Sequence, residues 1–181
     1  MSFIIGNKES FMKTLLFLIL FFLNLSAIED RQLLMDSIVH EAIRIGHGPN
    51  TYYAFVDPLC SKSQRFIAMI NERKDLQKRN SYYIFLYRLE KFDSDEYIYY
   101  IYQSESPLVA LKEIMIDEDY DQVGIVDVHQ VTQTKIEHIA EVAQQLKMKR
   151  RPYLLIFDEG SQYCHVSEGT APCLEENSFD K

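Results

Sequence analysis

Two apolar runs with an amphipathic helical pattern between them constrain this chain more than anything else in it. The first, Tyr52-Tyr53-Ala54-Phe55-Val56, is rich in aromatic and β-branched residues. It ends at Asp57-Pro58-Leu59-Cys60. From Ser61 to about Gln77, Phe66, Ile67, Ile70 and the aliphatic stem of Lys74 recur at helical spacing. After Asn80-Ser81, read as a turn, Tyr82-Tyr83-Ile84-Phe85-Leu86-Tyr87 is almost continuously apolar, as in a strand buried on both faces. Strand, helix and buried strand in this order predict a parallel β-α-β unit. The cysteine falls where the first strand hands over to the helix. There the unpaired N–H groups and the partial positive charge of a helix start favour a thiolate.

The remaining elements follow from the same patterns. Residues 29–45 carry a helical stripe (Leu33, Leu34, Ser37, Ile38, Ala42) that the breaker cluster Gly46-His47-Gly48-Pro49-Asn50 ends. Asp93-Ser94-Asp95-Glu96 supplies helix-start chemistry for the aromatic run Tyr97 to Tyr102. Pro107 opens a further helix through Leu108, Leu111, Ile114 and Met115. Residues 117–132 read as a loop, and Gln133 to Leu146 as a helix with Ile136, Ile139, Ala140 and Ala143 on one stripe. Pro152 introduces a strand to Phe157, Asp158-Glu159-Gly160-Ser161 turns it, and a short edge strand follows near Tyr163 to Val166. The expected class is α/β, a mixed β-sheet flanked by helices. A helical insertion separates the β-α-β unit from a closing β-hairpin.

The N-terminus reads as an address. Lys13 precedes the short apolar core Leu15 to Leu23, and Ala27 is a small residue before acidic Glu29-Asp30, the pattern of a secretory signal peptide cleaved after Ala27. The domain plan is thus a signal peptide over 1–27, one domain over 28–167 and a polar tail over 168–181. Export implies a periplasmic location, with membrane attachment only through an uncleaved signal. The net charge of −8 argues against nucleic acid as a partner. Five histidines show no ligand spacing, so neither a metal site nor a cofactor is expected.

Three cysteines in an oxidising compartment suggest one disulfide and one leftover thiol. Cys164 and Cys173 flank a short segment containing Gly169 and Pro172 that can turn back on itself, which makes them the expected pair and leaves Cys60 free. A bond from Cys60 to either of them is the alternative, and it would supply a resolving thiol from the tail.

Taken together, Phe55-Val56-Asp57-x-x-Cys60-x-x-Ser63, Tyr83-Ile84-Phe85-Leu86, Asp93-Ser94-Asp95 with Pro107-Leu108-Val109-Ala110-Leu111, and Ile139 to Leu146 leading to Pro152 resemble the catalytic domain of the periplasmic disulfide isomerases of the DsbC and DsbG type. The resemblance implies a thioredoxin-like fold, with a cis-proline at Pro152 opposite the reactive Cys60. It implies catalytic roles for Cys60, Ser63 and Pro152, a substrate-binding role for Arg151 and Pro152, and tuning of the thiol by Lys62 and Arg151. It implies thiol- or disulfide-containing proteins, or small thiols, as partners. Two departures stand out. The resolving cysteine is Ser63, and the dimerisation domain of those isomerases is replaced by a single helix, so a monomer with a monothiol C-x-x-S site is expected. Such a site can shuffle or reduce disulfides but cannot store one. The rival reading is a catalytically silent binding module that holds a peptide or partner protein in the groove beside Pro152. The tyrosines at 97, 99, 100 and 102 are read as core packing, with a peptide-binding surface as the alternative.

Overall fold

A computed structural model describes residues 31–124, 127–157 and 164–168. The expected signal peptide, the expected turn at Asp158 to Ser161 and the expected Cys164–Cys173 pairing lie outside the described residues. A helix over 31–38 (α1) leads through a 3-10 turn at Val39–Glu41 into strand β1 (Ile43–Ile45). There follow β2 (Asn50–Val56), α2 (Ser61–Glu72), α3 (Lys74–Arg79), β3 (Asn80–Leu86), α4 (Asp95–Gln103), α5 (Pro107–Met115), α6 (Gln130–Gln145), β4 (Tyr153–Phe157) and β5 (Cys164–Glu168).

The five strands form one mixed sheet in the order β1-β3-β2-β4-β5. β2 and β3 are parallel, and every other neighbouring pair is antiparallel. The apolar runs occupy the middle of this sheet because both of their faces must be covered. Ala54, Phe55, Val56, Ile84, Phe85 and Leu86 are all fully buried. The parallel register sets like beside like: Tyr52 faces Tyr82, Tyr53 faces Tyr83 and Phe55 faces Phe85, with ring centroids 5.1, 5.5 and 4.9 Å apart. Aromatic pairs of this kind add about 0.5–1.5 kcal/mol each beyond the area they bury. In the helical layer α5 touches α2, α4 and β1, while α6 touches α4 and β3.

Three sequence expectations give way here. Residues 43–45 are strand rather than helix. Ile43 and Ile45 are buried while Arg44 turns outward, donates to the Ser81 hydroxyl at 2.9 Å and lies over the Tyr83 ring. Asn80 and Ser81 begin β3 rather than forming a turn. Their polar groups are buried but satisfied, since Asn80 bonds Asn50 and the Tyr82 hydroxyl, and the Ser81 hydroxyl donates to the Gly48 carbonyl. The helix after Cys60 breaks at Arg73 into α2 and α3.

The aromatic run from Tyr97 is the helix α4, with Ile98, Ile101 and Tyr102 buried. Its tyrosines tie the helices to one another and to the sheet. The Tyr102 hydroxyl accepts the Leu86 N–H at 2.9 Å, and burial pushes its phenol well above the ordinary range. Tyr99 bonds Gln133 of α6, and Tyr97 packs edge-on to Tyr120.

The turn before β2 admits no side chain at Gly48, where an added Cβ would collide with the backbone of Arg79 and Asn80. Gly48→Ala is expected to destabilise the domain by about 2 kcal/mol or more, because the obstruction is backbone and cannot rotate away. Urea unfolding measures this. An unchanged midpoint would mean that the Arg79–Asn80 junction shifts without cost.

Candidate thiol site

Cys60 is the N-cap of α2. Its N–H donates to the Asp57 carbonyl at 3.1 Å, and its own carbonyl accepts the Gln64 N–H at 2.9 Å, the first bond of the helix. Gln64 secures this turn from the side by donating to the Pro58 carbonyl and the Tyr120 hydroxyl, both at 2.9 Å. The sulfur therefore sits at the positive end of the helix, where strand β2 delivers it. Cys60 is a free thiol, and the residue is 6% exposed.

Across from it stands the connection from α6 to β4. The Arg151–Pro152 peptide is cis, as the resemblance implied, and the Cys60 thiol lies 3.9 Å from the Arg151 carbonyl oxygen, a weak S–H contact. Cys60 and the segment before Pro152, 91 residues apart in sequence, thus meet at the same end of the sheet.

Ser63 is fully buried in the first turn of α2, and its hydroxyl oxygen accepts the Asp57 N–H at 3.3 Å. No hydrogen bond joins it to Cys60 among the described residues, so its geometry is that of a brace on the incoming strand. Arg151 stands beside the thiol through its backbone. Its side chain is buried, with 3% of the residue exposed; the guanidinium lies 4.4 Å from the Tyr87 ring centroid and donates to the Tyr87 and Arg150 carbonyls, close enough for its charge to bear on Cys60. Lys62 is exposed one position inside the helix and lines the cleft described next.

Asp57 was visible in the sequence only as part of the run leading to Cys60, and the structure gives it a larger part. Its carboxylate is fully buried and accepts N–H bonds from Leu59 and Leu89 and the hydroxyl of Ser94. Burial pushes this carboxyl above its ordinary range, against those hydrogen bonds and the nearby Arg151 charge, which pull it down. Burial likewise draws the Arg151 guanidinium below its ordinary value. One buried acid and one buried base thus sit behind the thiol and fasten the β3–α4 loop to it. The only sequence signal for this is the aspartate three residues before the cysteine.

The cleft in front of Cys60 has a volume of about 710 Å³. Its walls come from the start of α2, from the β3–α4 loop and from the α6–β4 connection, with Leu89, Phe92 and Met148 as its apolar lining. Among the described residues no group of three or more His, Cys, Asp or Glu is placed to hold a metal ion, and no helix is long and apolar enough to cross a membrane.

Solved structures with a similar fold include three bacterial proteins. Proteus mirabilis ScsC in a compact conformation superposes with a TM-score of 0.59 at 14% identity, over 91% of this chain and 85% of that one. A disulfide interchange protein from Neisseria gonorrhoeae gives 0.57 at 14% identity, over 74% of this chain and 89% of that one. A periplasmic thioredoxin-like protein from Salmonella enterica serovar Typhimurium gives 0.54 at 12% identity, over 77% and 89%. The chain has a thioredoxin-like fold. No protein-family model and no curated sequence matches it. At these identities the likeness carries the architecture, and the chemistry has to be argued from the residues in the cleft.

Proposed function

We propose that the protein is an exported monothiol that exchanges disulfides through Cys60, acting as a monomer in the periplasm. The observation that carries this reading is a free thiol at a helix N-terminus, lining an open cleft beside the segment that leads into Pro152. In the reaction the Cys60 thiolate attacks one sulfur of a substrate disulfide. The substrate S–S bond breaks, a Cys60–substrate disulfide forms, and the departing sulfur leaves as a thiolate that takes up a proton. A second substrate thiolate then attacks the mixed disulfide and frees Cys60, so the substrate is rearranged with no net change of oxidation state. Ser63 has no sulfur to displace the substrate internally, which leaves resolution to the substrate or to a small thiol. The backbone around Arg151 would meet an extended substrate chain, and the buried Asp57 and Arg151 would hold the two walls in register.

The 6% exposure of Cys60 favours a second reading, in which the thiol is inert and the cleft only binds. The two readings part on the native protein treated with a neutral pyridyl disulfide. Exchange predicts rapid release of one thiopyridone per chain, lost in Cys60→Ser. A wild-type protein that reacts only after denaturation overturns exchange and leaves the binding module. Edman or mass analysis of the exported protein tests the address, with a new N-terminus at Ile28 expected and an intact, membrane-held leader counting against it.

A further inference from the structure

The cleft beside Cys60 has a charge opposite to that of the chain. With a net charge of −8 overall, the protein puts six of its 19 lysines and arginines, Lys62, Arg88, Lys91, Lys149, Arg150 and Arg151, around this one opening. Among the described residues a single acid, Glu90, shares the lining. Some of that positive charge is already answered. Arg88 pairs with Asp95 at 2.9 Å, and Arg151 is buried on Tyr87 near Asp57. Three side chains are not. Lys91, Lys149 and Arg150 are exposed and their side chains have no carboxylate partner among the described residues, Lys91 lying over the Phe92 ring and Glu168 reaching only the backbone N–H of Lys149. These three stand on two different walls, the β3–α4 loop and the α6–β4 connection, so they flank the cleft rather than forming one solvated helix face.

We infer that the cleft selects protein segments whose reacting cysteine is flanked by aspartate or glutamate. The inference rests on the exchange reading and adds the substrate class to it. A solvent-screened field fades within roughly 8–10 Å at physiological salt, so a segment seated in the cleft is governed by these cations rather than by the acidic remainder of the surface. A cavity of about 710 Å³ with cations on separated walls fits carboxylates on both sides of a sulfur. Unpaired exposed cations lose little hydration until a carboxylate arrives, so the selection acts on capture more than on final affinity.

The test uses three peptides with the same pyridyl disulfide on a central cysteine, flanked by glutamates, serines or lysines. With the full protein at low salt, the glutamate peptide is expected to react at least about tenfold faster than the lysine peptide, with serine between, and the gap to shrink at high salt. The double variant Lys91→Glu, Arg150→Glu is expected to reverse the order. Equal rates for the three peptides in wild type, or an unchanged order in a variant that keeps the wild-type circular dichroism spectrum, overturn the charge assignment. The exchange reading is read separately, from the serine peptide. If no peptide reacts, exchange fails, and anisotropy of a cysteine-free glutamate peptide on Cys60→Ser still decides whether the cleft prefers acidic segments. Glutathione disulfide tests the small-molecule source of the same carboxylates. An advantage confined to it, with none for the glutamate peptide, overturns the assignment to protein segments.

Discussion

On the proposed monothiol scheme, Ser63→Cys is expected to give the protein a capacity to make disulfides. Net oxidation of a substrate dithiol requires a disulfide on the protein that can accept two electrons, and Cys60 alone has no second sulfur with which to hold it. Position 63 lies one turn along α2 from Cys60, buried in the same first turn. Cα atoms three residues apart on a helix lie about 5 Å apart, inside the Cα range a disulfide spans. Each protein, treated with diamide and freed of every small-molecule oxidant and disulfide, is mixed with reduced, disulfide-dependent substrate to measure the change. Wild type should remain at the uncatalysed rate, and the variant should exceed it by on the order of tenfold or more. Adding Cys60→Ser to the variant should remove the gain. Oxidation by the wild-type protein with no small-molecule disulfide present would contradict the scheme at its root, since the second sulfur would then have to come from Cys164 or Cys173.

Asp57→Ala is expected to cost about 3–5 kcal/mol of stability, the largest loss predicted for any single substitution considered. The change strands the N–H groups of Leu59 and Leu89 and the hydroxyl of Ser94, each about 1–3 kcal/mol, and removes the negative charge that faces Arg151. Asp57→Asn keeps one acceptor oxygen and should lose less. The native carboxyl is raised by burial, so protonation favours the folded state. Its contribution to stability is complete below the ordinary carboxylate range and is lost as pH rises through the raised native value. The stability gap between wild type and Asp57→Asn should therefore move in favour of wild type as pH is lowered across that window. Urea midpoints at a series of pH values would show it. A gap that moves the other way would mean that the hydrogen bonds and Arg151 outweigh burial.

The sequence exposed those parts of the molecule where one interaction dominates. β2, β3 and β4 were legible because a strand buried on both faces has to be apolar along its length. Cys60 and Pro152 were legible through their positions at the ends of such strands. Where two influences compete, the reading faltered. Ile43 and Ile45 belong to a three-residue strand whose alternation is too short to stand out from the adjoining helical stripe. Asn80 and Ser81 look like turn residues, and only the partners they find in three dimensions make them strand residues. The site shows the same division. The thiol and its proline could be named in advance, whereas the wall at Arg88 to Phe92 and its attachment to Asp57 depend on how a loop returns, which local pattern does not encode.

The sheet and the cleft draw on separate sets of residues. The strands β2, β3 and β4 hold the aromatic ladder and contribute no side chain to the cleft lining, and the exposed cations of that lining sit on connecting segments and a helix start. Natural variation can therefore rewrite the charge around the thiol one surface residue at a time without disturbing the interior, and a lineage could exchange one clientele for another while its scaffold stayed under unchanged selection.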